Sequence, residues 1–398
     1  MRIHCFHSGN VQVPAANAVQ TMHVCEAFAR EGAEVVLHYP RYLWGNAVAA
    51  LECHAYYGIE NRFELRGLAA PFSASLMTTP AYLPAAKLLA YAWESVLDAL
   101  APSSRRSDVI YTRCATAAAV MPYLVRLRGR TRPLVVFEAH EFPRDQARAR
   151  TLRHVDAIVA ITRATADELH ERLGFPAARM LVAPDGVPDA WLEPIGRDDA
   201  RARLELRPER SLAVYTGRLH PDTIAMLFDA AERLRDRAEL LLVGAPPGKP
   251  AEQQRELAAL RERARARGLA IVLVGPVRTD DARLYQAAAD VLVAPYSGAL
   301  RWARYTSPLK VFEYMAAERP MVVSDLPVLH EVLEHDGSAW FVPVANGAAL
   351  GDGVLTLLDR PEAAARIARQ ARAAAPGYTW TSRARSILAF IDRLRARR

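Results

Sequence analysis

The stretch Tyr305-Thr306-Ser307-Pro308-Leu309-Lys310-Val311-Phe312-Glu313-Tyr314-Met315-Ala316-Ala317 carries the densest chemistry in the chain. Ser307 suits a helix N-cap, and Pro308 suits the first helical position, where its missing N–H is not needed. Leu309, Phe312, Met315 and Ala316 recur at helical spacing. Lys310 then falls in the first turn, at the positive end of the dipole, where an acidic residue is the usual choice. Free backbone N–H groups, a positive dipole end and an ammonium together make an anion site, most simply one for phosphate. Glu313, one turn further along the same face, could accept hydrogen bonds from sugar hydroxyls. The alternative is a surface lysine followed by a solvated glutamate. Composition weighs against it. Of 51 basic residues only Lys87, Lys249 and Lys310 are lysines, so a compact point charge here stands out from an arginine background.

Other candidates sit where apolar runs end. In Thr216-Gly217-Arg218-Leu219, Gly217 permits close backbone approach and Arg218 lies at the carboxyl end of a strand. Its delocalised cation suits a diphosphate that gains charge; a surface arginine among many is an equal reading. In Val274-Gly275-Pro276-Val277, backbone groups beside Gly275 could reach a nucleobase edge, although an ordinary tight turn explains the residues better. Glu138-Ala139-His140-Glu141 ends a strand in the first half. A neutral His140 imidazole could orient a hydroxyl, and its near-neutral pKa permits proton traffic, but such a histidine is more often structural. Asn17 and Gln20, near the start of the first helix, could meet a substrate, and Asn17 could equally be that helix's N-cap. Asp198-Asp199 and Asp280-Asp281 read as first-turn acids rather than metal ligands. With no His-Glu-x-x-His and no cysteine cluster, no catalytic metal is expected, and no convincing Ser-His-Asp set is present.

These residues must be held by repeated strand–helix units. Ile3 to His7 and Glu34 to Tyr39 flank a helical pattern from Ala18 to Arg30, with Gly32 as its stop. Apolar runs at Asp108–Thr112, Leu134–Glu138, Ala157–Ile161 and Met180–Ala183 continue the series. Between about 41 and 105 the pattern is less regular and includes an amphipathic helix from Ala85 to Leu100. Turn residues Asp185 to Asp189 close this first series. A second runs through Leu212–Thr216, Leu240–Val243, Ile271–Val274, Val291–Ala294 and Met321–Val323. Two such series predict an α/β protein of two Rossmann-like domains, 1–190 and 191–377, with a cleft between them.

Length and composition agree. A chain of 398 residues suits two domains, and 51% hydrophobic with 24% charged residues describes a soluble globular protein. No apolar run reaches the roughly 20 residues that span a bilayer. No basic leader precedes the first strand, so no secretory signal is expected, and four scattered cysteines fit buried thiols in a reducing cytoplasm. The net charge of +7 admits an anionic partner. Without basic–aromatic interleaving that partner is not nucleic acid. Arginines 126, 128, 130, 132, 144, 148, 150 and 153 could touch an acidic membrane face.

Ser307 to Ala317, followed by Arg319-Pro320-Met321-Val322-Val323-Ser324-Asp325, resembles the donor-binding segment of glycosyltransferase family four, the retaining GT-B enzymes. Tyr378-Thr379-Trp380 and Arg383-Ala384 resemble the start of that family's C-terminal helix. The resemblance implies a GT-B fold whose two Rossmann-like domains face across a cleft, with helix 378–398 crossing back onto the first. It implies transfer of a sugar, with retention, from a UDP- or GDP-linked donor to a glycan, lipid-linked or small-molecule acceptor, with no cofactor. By that likeness Arg218 and Lys310 hold the diphosphate beside Gly217, Ser307, Pro308 and Leu309. Gly275 and Val277 meet the base, Glu313 the ribose, and His140 the donor sugar and acceptor, near Asn17, Gln20 and Glu141. Two departures stand out. The family's Lys-Gly pair is replaced by Thr223-Ile224, and its first glutamate by Tyr305, which leaves the sugar open. The implied location is the cytoplasm, with the inner membrane face as a peripheral contact. The other readings are a GT-B nucleotide-sugar epimerase or hydrolase, a non-catalytic nucleotide-sugar binder, and a nicotinamide oxidoreductase. The last is disfavoured because Ser8-Gly9-Asn10 lacks Gly-x-Gly-x-x-Gly.

Overall fold

The computed structural model describes residues 1–7, 9, 11, 16–42, 53–61, 63–70, 98, 102, 105–143, 145–298 and 301–398. The helix expected from Ala85 to Leu100 lies outside them, apart from Asp98. The chain divides into two compact units, Met1–Asp185 with Trp380–Arg398, and Gly186–Thr379.

The first unit is a seven-stranded parallel sheet. Its strands are β1 (Arg2–Phe6), β2 (Glu34–Tyr42), β3 (Glu64–Ala70), β4 (Val109–Thr112), β5 (Leu134–Ala139), β6 (Ala157–Ala160) and β7 (Met180–Val182). Their spatial order is β3-β2-β1-β4-β5-β6-β7. The chain therefore reverses direction of winding between β1 and β4, where Ile3 faces Val109 and Phe6 faces Thr112. In such sheets the crevice for ligands opens beyond the carboxyl ends at that point. Strand β5 is buried at every position, as expected when helices cover both faces. The last helix, Trp380–Arg395, belongs to this unit, with Trp380 stacked on His23 and Arg385 paired to Glu31 at 2.9 Å.

The second unit repeats the plan with six parallel strands. These are β8 (Leu212–Thr216), β9 (Glu239–Val243), β10 (Ile271–Gly275), β11 (Val291–Ala294), β12 (Met321–Ser324) and β13 (Trp340–Val342), in the order β10-β9-β8-β11-β12-β13. Alternate residues feed two cores, one on each face. Leu212 and Val214 join Phe312 and Met315 of the helix Leu309–Ala316, while Ala213 and Tyr215 join Leu227 and Phe228 of the helix Pro221–Leu234. Burying both faces explains why these strands read as unbroken apolar runs.

Local differences from the sequence reading are small and physical. The helix expected to start at Pro308 starts at Leu309, and Pro308 itself is the N-cap, with extended backbone at φ −79°, ψ 117°. Ser307 is thus not the cap. Asn17 lies inside the helix Ala16–Arg30 rather than capping it. Asp198, Asp199, Asp280 and Asp281 all occupy first helical turns. The four cysteines are free and buried. Arg128 and Arg132 turn inward to Asp98 and Asp156 at 2.7 and 2.9 Å, which removes two charges from the arginine run considered for a membrane face.

Candidate functional site

In the second unit, three adjacent strands end on glycines with positive φ. Gly217 after β8, Gly244 after β9 and Gly275 at the end of β10 have φ of 134°, 141° and 101°. Their backbones interlock, with Gly217 N–H donating to Val243 at 2.9 Å and Gly244 N–H donating to Gly275 at 2.8 Å. A side chain on Gly244 would fall on the Gly217 carbonyl, so only glycine allows this approach.

Lys310 occupies the corner beside them. Its Nζ would touch a Cβ on Gly217 at 3.0 Å, donates to the Tyr215 hydroxyl at 3.0 Å, and lies 4.1 Å from the Tyr215 ring centroid. Burial pushes the amine down from its ordinary value, partly opposed by Tyr314 and Glu313. Tyr215 donates in turn to the Arg218 carbonyl at 2.7 Å and shares a hydrogen bond with Thr223, the residue standing where the family has its lysine. The Arg218 side chain is exposed and makes no hydrogen bond or ion pair among the described residues. His220 is pushed down by burial and then by the charges of Arg218 and Lys310, with Asp222 opposing, so a neutral-leaning imidazole and two cations share this corner. Glu313 and Asp222 offset these charges only in part, and an anion would add to that.

Glu313 is held rather than loose. Gln286 Nε2 donates to it at 2.8 Å and also to Thr216 Oγ1 at 3.0 Å, tying the helix Leu309–Ala316 to the end of β8. Thr216 N–H completes the link to Tyr314 OH at 2.9 Å. Ser307, Pro308 and Leu309 are partly buried at the helix entry, Val277 is 36% exposed beyond Gly275, and Tyr305 is packed inside at 4%. Gln286 and Tyr215 were not singled out from the sequence, because a glutamine in a helix and a tyrosine in a strand carry no spacing signal.

In the first unit the focus is Glu138, 1% exposed near the end of β5. His140 Nε2 lies 2.6 Å from its Oε1, and Arg383 Nη2 donates to its Oε2 at 3.0 Å. Gln20 Nε2 and Tyr111 OH also donate to it. Burial alone would raise this carboxyl, but Arg383 and the bond to His140 outweigh burial and hold it well below the usual carboxylate range. Arg113 bonds Gln20 Oε1 at 2.8 Å. Gln20 is thus buried with both ends of its amide engaged, while Asn17 and Glu141 are half-buried nearby in the chain. Among the described residues no cluster of His, Cys, Asp or Glu is arranged to hold a metal ion. Nor is any helix among them long and apolar enough to cross a membrane.

Residues 17–186 match the family described as glycosyl transferase 4-like domain, and residues 210–360 match glycosyl transferases group 1. The chain belongs to the GT-B glycosyltransferases. Both Rossmann-like units of the GT-B chain align with solved structures along nearly their whole length. One is the Anabaena protein HepE solved in complex with UDP, with TM-score 0.70, 17% identity and coverage of 98% of this chain and 100% of that one. Another is sucrose-phosphate synthase from Thermosynechococcus elongatus, with TM-score 0.74, 17% identity and full coverage of both. At such identity these likenesses bear on the fold. Among curated relatives, the D-inositol 3-phosphate glycosyltransferase of Xylanimonas cellulosilytica is 30% identical over 58% of this chain and 56% of its own length. That of Geodermatophilus obscurus is 28% identical over 59% and 52%. The chain spans about half the length of the curated relatives it matches.

Proposed function

We propose that this GT-B chain transfers a sugar from a nucleoside-diphosphate sugar, UDP- or GDP-linked, to a glycan, lipid-linked or small-molecule hydroxyl, with retention of anomeric configuration. The observation that carries the reading is the corner at the carboxyl end of β8 where the buried Lys310 and the exposed Arg218 both act on His220. The diphosphate oxygen leaves with the electron pair of its bond to C1, so negative charge grows on the phosphate. Lys310, Arg218 and the helix start at Leu309 stabilise that growing charge. The acceptor oxygen forms the new bond to C1 and passes its proton to the departing phosphate oxygen. Glu313 binds the ribose, Gly275 and Val277 contact the base, and His140 orients the reacting hydroxyls. These side-chain cations do the neutralisation here, so the reaction runs without a divalent metal or cofactor. The complexes of HepE with UDP and UDP-glucose support a uridine donor, and the names of the curated relatives favour a polyol phosphate as acceptor. We place the chain in the cytoplasm, its acceptor held mainly by residues 1–190.

The test is incubation with UDP- and GDP-sugars and panels of polyol phosphates and glycans, in excess chelator. The expected result is release of one nucleotide and a product with the donor's anomeric configuration by NMR. Inverted product would refute retention. Activity abolished by chelator and restored by metal would refute the metal-free assignment, and absence of nucleotide release with every pair would refute the enzyme.

A further inference from the structure

The last helix supplies a charge to the interior of the first unit, through Arg383 to Glu138 and from Glu138 to His140. Glu138 is a nearly inaccessible carboxylate that receives four donors, from Gln20, Tyr111, His140 and Arg383. An ionised carboxylate can only accept. The atom of His140 that faces it, Nε2, must therefore carry a proton. In a neutral imidazole that leaves Nδ1 as the lone-pair acceptor. The ring is 23% exposed on its side chain, and Nδ1 makes no hydrogen bond among the described residues. Glu138 lies in the last two positions of β5 and His140 directly follows the strand, with the two side chains in contact. Arg383, 3% exposed, is fixed independently by its Nε bond to the Pro184 carbonyl at 2.9 Å.

We propose that Glu138 and Arg383 are positioning residues that hold His140 in the Nε2–H tautomer, so that Nδ1 is presented as an acceptor for a substrate hydroxyl. Arg383 acts through Glu138. Its charge keeps the carboxylate ionised in a site where burial favours the protonated form, and a protonated Glu138 would donate where it now accepts. The network also contains Arg113 and Asp185, which sense the same charges. The C-terminal helix is thereby coupled to the state of the imidazole, beyond its packing against the helix Ala16–Arg30. This inference rests on the reading that His140 meets a reacting hydroxyl.

The experiment pairs a tautomer readout with kinetics. Long-range ¹H–¹⁵N correlation spectra of histidine-labelled protein, with His140 assigned by its loss in His140→Gln, report which nitrogen carries the proton. The wild type should show Nε2–H. Glu138→Gln should mix the tautomers and lower kcat at least tenfold with donor KM unchanged, since an amide in place of an orienting carboxylate permits the wrong tautomer. Arg383→Met should do the same and Arg383→Lys should restore most of the loss. A buttressing role alone would lower the melting temperature without moving the tautomer. An Nδ1–H wild type, or Arg383→Met with unchanged tautomer and kcat, would overturn the proposal, and the Arg383 pair decides it even where Glu138→Gln fails to fold. Full activity of His140→Gln would instead refute the role of His140 and leave the tautomer result standing.

Discussion

Lys310 and Tyr215 form a single unit, the ammonium donating to the phenol at 3.0 Å while sitting 4.1 Å from the ring centroid. A hydroxyl and a π-face stabilise a cation without cancelling it. The amine thus remains available to a ligand that brings full negative charge. If Lys310 and Arg218 both meet the departing diphosphate, Lys310→Ala and Arg218→Ala should each cost about 2–4 kcal/mol of transition-state stabilisation, seen as a loss in kcat. Wild-type turnover by both would remove them from the reaction.

The same burial sets a pH dependence. The Lys310 amine starts below its ordinary value because the folded unit desolvates it, and a bound phosphate would push it back up. Binding then takes up a proton, so nucleotide affinity should decline as pH rises through the lowered value. Titrations between about pH 6 and about pH 10 should show this slope in the wild type and lose it in Lys310→Met. A slope that survives the substitution would assign it to another group.

Gly244→Ala tests the interlocked glycines. The new methyl meets the Gly217 carbonyl and the residue keeps a φ of 141°, so two costs add. Overpacking and backbone strain of about 1–3 kcal/mol each should lower stability by roughly 2–6 kcal/mol, read as the urea midpoint. An unchanged midpoint would mean that the backbone turns freely there.

Stability should also fall on mild acidification. Burial, opposed by Asp98, lowers His4 from 6.5 to about 4 in the folded state. The unfolded chain therefore takes up a proton first, and stability present above about 6.5 is lost as pH falls towards about 4. His38, buried beside it at 3.3 Å and also pushed down, adds to the loss. One proton contributes a slope of about 1.4 kcal/mol per pH unit. His4→Gln should flatten urea midpoints across that window, and an unaltered slope would refute the assignment.

The strand–helix alternation of both sheets was legible because parallel strands buried on two faces read as apolar runs, such as Leu134–Ala139 and Leu212–Thr216. Strand β13, Trp340 to Val342, was not read from the sequence and lies at the edge of the second sheet. Edge strand β3 was hidden by its mixed sequence, Glu-Leu-Arg-Gly-Leu-Ala-Ala. At the sites, Lys310 and Glu313 could be singled out because both lie in one helix a turn apart. Their partners Tyr215 and Gln286 could not, since the pairing of Lys310 with Tyr215 spans 95 residues and that of Glu138 with Arg383 spans 245. Only the folded sheets bring such residues together. The shift of the helix start from Pro308 to Leu309 reflects a proline that takes extended backbone as a cap instead of entering the first turn.

The most direct test of the central claim is calorimetric titration of the intact chain with UDP and GDP, repeated with Lys310→Ala and Glu313→Gln. The expected result is binding of one nucleotide by the wild type, weakened at least tenfold in both variants, a change of about 1.4 kcal/mol or more. Binding of neither nucleotide, or equal affinity across the three proteins, would contradict a nucleotide-sugar site at the carboxyl end of β8.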